Sequence, residues 1–138
     1  MNTLLPHFTS YYYYYFFKDF ADFAKITSGA KPIKKSMFYD AMESFREEYH
    51  PVAFLYVSDD MAKGKILLKK NKKKDLFFVG TGNGDNPDDI GHDFALLVHS
   101  NHTVTSHGSF SLWAHILNNG DNYSEYGFVS RSLSNYMD

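Results

Sequence analysis

The chain has 138 residues, of which 43% are hydrophobic, with a formal net charge of −2 and no cysteine. One domain of this size buries about two-thirds of its unfolded surface, which is enough for a single core. The slightly acidic balance disfavours a dedicated nucleic-acid binder, because such proteins need a strongly basic footprint. Without cysteine, disulfides and thiolate metal sites are excluded.

Residues 1–35 are predicted to form a weakly ordered, aromatic-rich tail. They include an unbroken aromatic run at residues 11–17 and show no sustained period of two or 3.6. A buried strand is the alternative for that run, since tyrosine and phenylalanine have high β-propensity. Spanning a bilayer takes about 20 apolar residues, and residues 1–10 lack the basic and aliphatic segments of a secretory signal. We therefore expect no membrane segment in this chain.

From residue 36 onward, the hydrophobic pattern changes to that of a folded domain, predicted to extend over residues 36–138. The first element is a helix with Ser36 as its N-cap and Pro51 as its stop. Its buried face is predicted from apolar residues spaced four, three and four apart: Phe38, Met42, Phe45 and Tyr49. The continuous apolar run at residues 52–57 then predicts a strand buried on both faces of a parallel sheet.

The alternation of helix and strand continues along the chain. A short helix at residues 61–68 precedes a second buried strand at 76–79, and Pro87 opens the next helix. A short β-branched strand at 103–105 precedes a helix with the apolar period Phe110, Trp113, Ile116 and Leu117, stopped by Asn119 and Gly120. This order predicts an α/β fold, with a Rossmann-like parallel sheet and flanking helices.

In open α/β sheets, ligands bind beyond the carboxyl ends of the strands, which here means three polar loops. The loop after residue 105 carries His107, Gly108 and Ser109 into a helix N-terminus. Free backbone N–H groups, a glycine and a hydroxyl suit a phosphate group, although Ser109 as an ordinary N-cap is the alternative. The loop after residue 57 carries Asp59 and Asp60, which form either a general base pair or a helix cap.

The same region resembles a known family. The stretches 93–97, 101–105 and 108–110, followed by Trp113 and Ala114, look like the last signature motif of the alpha-1,2-fucosyltransferase family, the galactoside 2-alpha-L-fucosyltransferases of glycosyltransferase family 11. The resemblance extends back through residues 76–80 and 57–61, and covers about residues 36–121.

This resemblance implies an incomplete half of a GT-B glycosyltransferase, supplying most of its donor domain. Such an enzyme moves L-fucose from GDP-fucose to the 2-hydroxyl of a terminal galactose on a glycan acceptor, with no metal or other cofactor. The family works on the lumenal side of the Golgi membrane. Its acceptor domain and membrane anchor are expected to lie outside this sequence, and the last strand and helix of its donor domain are expected to be incomplete after Gly120.

The resemblance also assigns donor-binding roles to residues of this chain. Asp93 would accept hydrogen bonds from guanine, and Ser109 would contact the pyrophosphate, with Gly108 beside it. His107 would face the donor, and Phe110 would contribute packing and a backbone N–H. Ser58, Asp59 and Asp60 would form the second loop of the site. No catalytic base is assigned.

One departure from the family pattern bears on activity. The family holds its diphosphate leaving group with a His-x-Arg-Arg motif, which is absent here, and the only two arginines are Arg46, predicted on the surface of the first helix, and Arg131. Lys63 stands near a position where the family usually carries tryptophan. We therefore expect a family donor domain that is itself inactive or weak. The alternative is a non-catalytic pseudoenzyme or fragment that binds GDP or a partner without transfer.

Three further sequence patterns are weaker indications of function. Seven lysines between residues 63 and 74 suggest a nucleic-acid or membrane patch, but a solvated helix end and loop explains them as well. His99, His102 and His107 lack a carboxylate in fixed register, so no metal site is expected. Of two N-glycosylation patterns, Asn101 enters a predicted buried strand, which leaves Asn122 as the accessible one.

Overall fold

The computed structural model describes residues 10–16, 34–49, 51–58, 60–80, 86–106, 109–124 and 127–129. Helices and strands in these ranges alternate for most of the chain, which confirms the predicted α/β class. In chain order they are β1 (Ser10–Phe16), α1 (Lys35–Glu48), β2 (Val52–Ser58), α2 (Met61–Leu67), β3 (Leu76–Phe78), α3 (Pro87–His99), β4 (His102–Thr105), α4 (Ser109–Leu117), β5 (Asn122–Ser124) and β6 (Gly127–Val129).

The described strands form one sheet in the order β3-β2-β1-β4-β5-β6. Neighbouring strands from β3 to β5 pair in parallel, while β6 pairs antiparallel to β5 and departs from the parallel sheet predicted. From β1 the chain proceeds through β2 to β3 on one side, then crosses to β4 on the other. The order therefore reverses between β1 and β4, as in doubly wound nucleotide-binding folds.

The central strand of the sheet comes from the segment predicted as a weakly ordered tail. Ser10–Phe16 pairs with β2 along its whole length and with β4 through Tyr12 to Tyr15, so the alternative of a strand is correct there. A run of one residue type carries no period, and only its partners far along the chain identify it as a strand. The rest of residues 1–33 lies outside the described residues, and the domain boundary at residue 35 stays a prediction.

Strand β2 carries apolar side chains to both faces of the sheet, as its continuous apolar run predicted. Phe54 and Tyr56 pack with α1 on one face, whereas Leu55 and Val57 pack with α3 and α4 on the other. Fully burying each such side chain contributes about 1.5–3 kcal/mol. Helix α1 buries Phe38, Met42 and Phe45 of its predicted face, and it also buries Met37 and Ala41. The sheet is thus covered by helices on both sides.

Helix ends follow local capping chemistry, with one prediction wrong. The first helix begins at Lys35 after the extended residue Lys34, and no side chain caps it, so Ser36 lies inside the helix and is not its N-cap. Helix α3 begins as predicted at Pro87, and the side chain of Asn86 accepts a hydrogen bond from the Asp88 N–H at 2.9 Å. Proline at this position costs no helical hydrogen bond, because the backbone N–H of any other residue there would have no partner within the helix.

Helix α4 turns a different face to the core from the one predicted. Ser111, Ala114 and Asn118 are buried, whereas Trp113 is 57% exposed and three further apolar side chains lie in solvent: Leu112, Ile116 and Leu117. The Asn118 amide donates to the Leu97 carbonyl at 3.0 Å and to the Ser100 carbonyl at 2.7 Å. These buried hydrogen bonds, together with small residues on the inner face, fix the rotation of the helix against α3.

The exposure of the two N-glycosylation patterns is the reverse of the prediction. Asn122 is only 4% exposed, and its side-chain oxygen accepts hydrogen bonds from the hydroxyls of Thr103 and Thr105 at 2.9 and 3.0 Å. Asn101 precedes β4 and is exposed. The reason is the parallel register of β4 and β5, which sets Thr103 opposite Asn122 and turns the asparagine towards two threonines.

Arg46, predicted on the helix surface, is buried with only 6% of its surface exposed. Its guanidinium donates to both carboxylate oxygens of Asp75, at 2.7 and 2.9 Å, and also to Asn71 and Glu43. It lies over the ring of Phe54 at 5.1 Å. The planar, five-donor fork of arginine makes this arrangement possible, and it ties the last turn of α1 to the loop that leads into β3.

We expect Arg46→Ala to destabilise the fold by about 3–5 kcal/mol, because it leaves the Asp75 carboxylate without its main partner in a half-buried position. Urea denaturation of the variant and the wild type measures this change. Lys73→Ala is the matched control, since Lys73 also pairs with Glu43, at 3.4 Å, but is exposed. Equal effects of the two substitutions would contradict the structural role of Arg46.

Candidate functional site

The loops after β2, β3 and β4 open at one edge of the sheet, because parallel strands bring their carboxyl ends together. The loop after β4 leaves next to β1, where the strand order reverses. In doubly wound folds this is the edge at which ligands bind, in the crevice formed by the reversal. This carboxyl edge is therefore the candidate site.

The corner between β4 and α4 lies at this reversal. Strand β4 ends at Thr105, α4 begins at Ser109, and the Ser106 and Ser111 hydroxyl oxygens are 3.5 Å apart. Ser106 thus connects the end of the strand to the first turn of the helix. His107 and Gly108 lie outside the described residues, and the phosphate-binding roles predicted for them and for Ser109 stay predictions.

Asp93 lies on α3 and is almost buried, at 6% exposure. Both of its carboxylate oxygens face Gly80, two residues beyond the end of β3: a β-carbon added to that glycine would stand 3.4 Å from each oxygen. The sulfur of Met61, which opens α2, would be 3.6 Å from the same point. His92 brings Nδ1 within 3.6 Å of Asp93 Oδ1. The carboxylate is therefore placed at the carboxyl ends of β2 and β3.

A contact between two aromatic rings joins Asp93 to the β4–α4 corner. Phe94, the next residue on α3, packs edge-to-face against Phe110, with ring centroids 5.1 Å apart and planes at 74°. Phe110 is the second residue of α4, directly after Ser109. Such pairs contribute about 0.5–1.5 kcal/mol beyond their burial. Phe110 packs around the buried core of Val57, Leu97 and Ala114, in line with the packing role that the sequence predicted for it.

The second predicted loop is held together by its own hydrogen bonds. The buried Ser58 hydroxyl accepts from the Asp60 N–H at 3.0 Å, and the Asp60 carboxylate accepts from the Lys63 N–H at 3.0 Å. Asp60 thus caps α2, as the alternative interpretation had it, and fixes the start of that helix beside Asp93. Asp59 lies outside the described residues.

Helix α2 can pack closely on β2 because Gly64 faces the sheet. A β-carbon at this position would stand 2.3 Å from the ring of Tyr56, so any larger residue would push the helix away. The close packing sets the position of Met61 at the start of the helix. Sequence reasoning found Asp93 by resemblance but missed Gly80 and Met61 as its neighbours; a glycine directly after a predicted strand was the available signal. That strand was predicted to be buried, but it is only partly so, with Phe77 49% and Val79 39% exposed at the edge of the sheet.

The remaining titratable cluster lies at the opposite, amino edge of the sheet. The Tyr49 hydroxyl donates to the Asp121 carboxylate at 2.9 Å, and the Asp121 N–H donates to His102 Nδ1 at 3.0 Å. The rings of Tyr49 and His102 are 4.4 Å apart. Burial, together with the bond to Asp121, raises the pKa of Tyr49 to about 12. This cluster holds the end of α1 against β4 and β5, away from the candidate site.

The described residues bear on two other functions. No set of three or more histidine, aspartate or glutamate side chains in this part of the chain is arranged to hold a metal ion. No helix in the same part has the length and apolar character needed to cross a membrane. The seven lysines between residues 63 and 74 are all exposed, and Lys73 Nζ lies 3.4 Å from the Glu43 carboxylate.

The fold class and the family match agree with each other. A mostly parallel α/β sheet whose strand order reverses is a doubly wound fold. The family model described as "Glycosyl transferase family 11" matches residues 19–125, which is most of the chain. This chain belongs to glycosyltransferase family 11, and the resemblance found in the sequence is confirmed.

The sequence is also similar to individual galactoside fucosyltransferases. The chain is 38% identical over 80 residues to "Galactoside 2-alpha-L-fucosyltransferase SEC1" of Bos taurus, covering 58% of this chain and 21% of the relative. It is 37% identical over 81 residues to the Mus musculus protein of that name (59% and 21%), and 35% over 81 residues to "Galactoside alpha-(1,2)-fucosyltransferase 2" of Bos taurus (59% and 22%). The chain thus spans about a fifth of these relatives. No solved structure matches it.

The amino-edge cluster predicts how stability depends on pH. Burial lowers the pKa of His102 from 6.5 and outweighs the opposing effects of Asp121 and Glu48. The unfolded chain therefore takes up a proton before the folded chain does. The contribution of neutral His102 is fully present above about pH 6.5 and is lost as the pH falls towards the folded-state pKa.

We expect the free energy of unfolding, measured in urea from pH 5 to 8, to fall on the acid side more steeply for the wild type than for His102→Gln. Glutamine does not titrate, and its amide oxygen can accept the Asp121 N–H. His99→Gln, at an exposed position on α3, is the control and should keep the wild-type slope. An unchanged slope in His102→Gln would exclude His102 as the source.

Proposed function

We propose that this chain binds the guanine nucleotide of GDP-fucose, as the donor-binding half of a GT-B galactoside 2-alpha-L-fucosyltransferase. The reaction of such an enzyme transfers L-fucose to the 2-hydroxyl of a terminal galactose on a glycan. One observation carries the proposal: the Asp93 carboxylate lies at the carboxyl edge of the sheet, joined through Phe94 and Phe110 to a helix N-terminus at the strand-order reversal. The names of the relatives, which are galactoside fucosyltransferases, support the sugar and the acceptor.

The chemistry of Asp93 suits guanine. An ionised carboxylate accepts two hydrogen bonds side by side, and guanine presents N1–H and N2–H2 donors in that arrangement. Adenine has no such donor pair on its Watson–Crick edge and could not donate two hydrogen bonds to the carboxylate. Because Asp93 is nearly buried, water competes weakly for its oxygens and an unmatched base would be penalised strongly.

The start of α4 suits the diphosphate. Its first N–H groups have no partner within the helix, and the helix dipole favours negative charge at that end. Ser109 and Phe110 would supply backbone N–H groups, Gly108 would allow close approach, and His107 would face the donor. In this arrangement the chain itself neutralises the diphosphate in part, and we propose no metal or other cofactor.

The remaining parts of the proposal rest on the family. The acceptor glycan would be bound largely by parts of a family member that this chain does not match, since the relatives are about five times longer than the matched region. The lumenal side of the Golgi membrane is the proposed location. We assign no catalytic base, because Asp60 serves as a helix cap.

A second candidate is favoured by the arginines: a domain that binds GDP without transferring fucose. Stabilising a diphosphate leaving group calls for planar, bidentate guanidinium groups, and losing such an arginine costs on the order of a thousandfold or more in rate. The His-x-Arg-Arg motif is absent from the sequence. Arg46 is held by Asp75 before the start of β3, at the edge of the sheet opposite the candidate site. Arg131 lies outside the described residues.

Calorimetric titration with GDP tests nucleotide binding. We expect saturable binding to the wild type and about 10- to 100-fold weaker binding to Asp93→Ala, which loses hydrogen bonds from a charged acceptor worth about 1.5–3 kcal/mol. Asp88→Ala is the matched control, because Asp88 lies in the first turn of the same helix but is exposed. It should bind GDP as the wild type does.

The same preparations separate the two candidates. Incubation with GDP-fucose and a galactoside acceptor should yield fucosylated product if the chain is a transferase, and binding without product if it is the non-catalytic domain. Absence of GDP binding by folded wild-type protein would overturn both. Equal affinity of the wild type and Asp93→Ala would remove Asp93 from the site.

A further inference from the structure

We propose that the lysines around the end of α2 form a binding surface for a sulfated polysaccharide. Half of the fourteen lysine and arginine residues of the chain lie between residues 63 and 74, and none of its sixteen aspartate and glutamate residues does. The rest of the chain is left with seven basic and sixteen acidic residues, a formal net charge of −9. Positive charge is therefore concentrated in one short stretch of an otherwise acidic molecule.

The turn that follows α2 is anchored by side chains beneath it. Leu68 is buried in the core, the Asn71 amide donates to the Lys73 carbonyl at 3.0 Å, and the Asn71 oxygen accepts from Arg46 at 2.9 Å. The bonds between Arg46 and Asp75 fix the end of the same turn. Five exposed lysines extend from this anchored backbone: Lys69, Lys70, Lys72, Lys73 and Lys74.

Tyr39 brings a sixth lysine to this surface from the start of α1. Its hydroxyl donates to the Leu67 carbonyl at 3.1 Å and accepts from the Lys70 N–H at 3.2 Å. The Lys35 ammonium lies 6.0 Å from the centre of the Tyr39 ring. The fold thus adds a distant residue to the lysine run. The lysine surface is defined as these six residues: Lys35, Lys69, Lys70, Lys72, Lys73 and Lys74.

Acidic neighbours offset little of this charge. Glu43 pairs with Lys73 at 3.4 Å, but the same carboxylate also accepts from Arg46. Asp75 is engaged by both bonds from the Arg46 guanidinium. The two carboxylates therefore serve mainly to balance the buried arginine, and the lysine surface keeps a large positive charge.

The chemistry of the lysine surface suits sulfate groups along a single chain. An ammonium group is a compact charge with three donors on a flexible stem, so it adapts to sulfates at irregular positions. Proteins that bind single-stranded nucleic acid add aromatic rings on which bases stack, whereas residues 61–74 contain no aromatic residue. A DNA duplex or an anionic membrane is wider, and the acidic remainder of the chain would repel it. A linear polysaccharide contacts the lysine surface alone.

The lysine surface is separate from the proposed nucleotide site. Five of its six lysines lie between the end of α2 and the start of β3, at the amino edge of the sheet, whereas the nucleotide site is proposed at the carboxyl edge. Binding of a polysaccharide here neither requires nor excludes GDP binding.

Calorimetric titration with a heparin octasaccharide at physiological ionic strength tests the proposal. The test variant replaces Lys69, Lys70, Lys72 and Lys74 by glutamine, which keeps the backbone N–H that Tyr39 accepts. We expect saturable binding to the wild type and about 100-fold weaker binding to the variant, because each lost ion pair releases fewer counterions from the polyanion. The slope of log affinity against log salt concentration should become shallower by about three to four.

Two further comparisons control for net charge and for lysine geometry. Lys70→Gln and Ala95→Glu each lower the net charge by one, but Ala95 is exposed on α3, which covers the opposite face of the sheet from α2. Lys70→Gln should weaken heparin binding, whereas Ala95→Glu should not. Arginine at the same four positions keeps the charge and should retain most of the wild-type affinity.

Three results would overturn the proposal. They are wild-type affinity in the four-glutamine variant, equal losses in Lys70→Gln and Ala95→Glu, and tighter binding of a DNA duplex or of phosphatidylserine vesicles than of the octasaccharide. Urea denaturation shows whether the four-glutamine variant is folded; if it is not, the single substitutions and the arginine variant decide the question. A folded four-glutamine variant should bind GDP as the wild type does, so failure of the nucleotide site and failure of the lysine surface are distinguished.

Discussion

Parallel pairing of β2, β1 and β4 is the constraint on which the rest of this structure depends. It aligns the carboxyl ends of the strands, so that loops from distant parts of the sequence meet at one edge. Helix α3, which crosses from β3 to β4, then brings Asp93 against Gly80 and the neighbouring Phe94 against Phe110. A site built in this way requires every crossover to be in place, because each element supplies one or two of its residues.

The two edges of the sheet perform different tasks. At the amino edge, Arg46 and the cluster of Tyr49, His102 and Asp121 join helix ends to strand starts through charged and polar hydrogen bonds. At the carboxyl edge, the nearly buried Asp93 carboxylate lies beside Gly80 and within 3.6 Å of His92 Nδ1. The chain's described arginine thus stabilises the fold. Under the proposed function, the nucleotide would be bound at the carboxyl edge, away from this arginine.

Much of the fold could be predicted from local signals, and the failures have a common cause. Strand β2, the start of α3 at Pro87 and the end of α4 before Asn119 follow from apolar runs, proline and the Asn-Gly stop. Apart from the N-cap at Ser36 and the antiparallel strand β6, the main wrong predictions concern the central strand β1, buried Arg46, buried Asn122 and exposed Trp113. Each depends on a partner more than fifteen residues away, or on the rotation of a helix around its axis, which an apolar period alone does not settle when small and polar residues pack better. The family resemblance supplied Asp93, whereas its neighbours Gly80 and Met61 required coordinates.

A crystal structure of the chain with GDP tests the central claim most directly. The account predicts the guanine N1 and N2 atoms within hydrogen-bonding distance of the Asp93 carboxylate, and the diphosphate at the first turn of α4. A nucleotide whose phosphates lie among the lysines of residues 63–74, with its base away from Asp93, would contradict it.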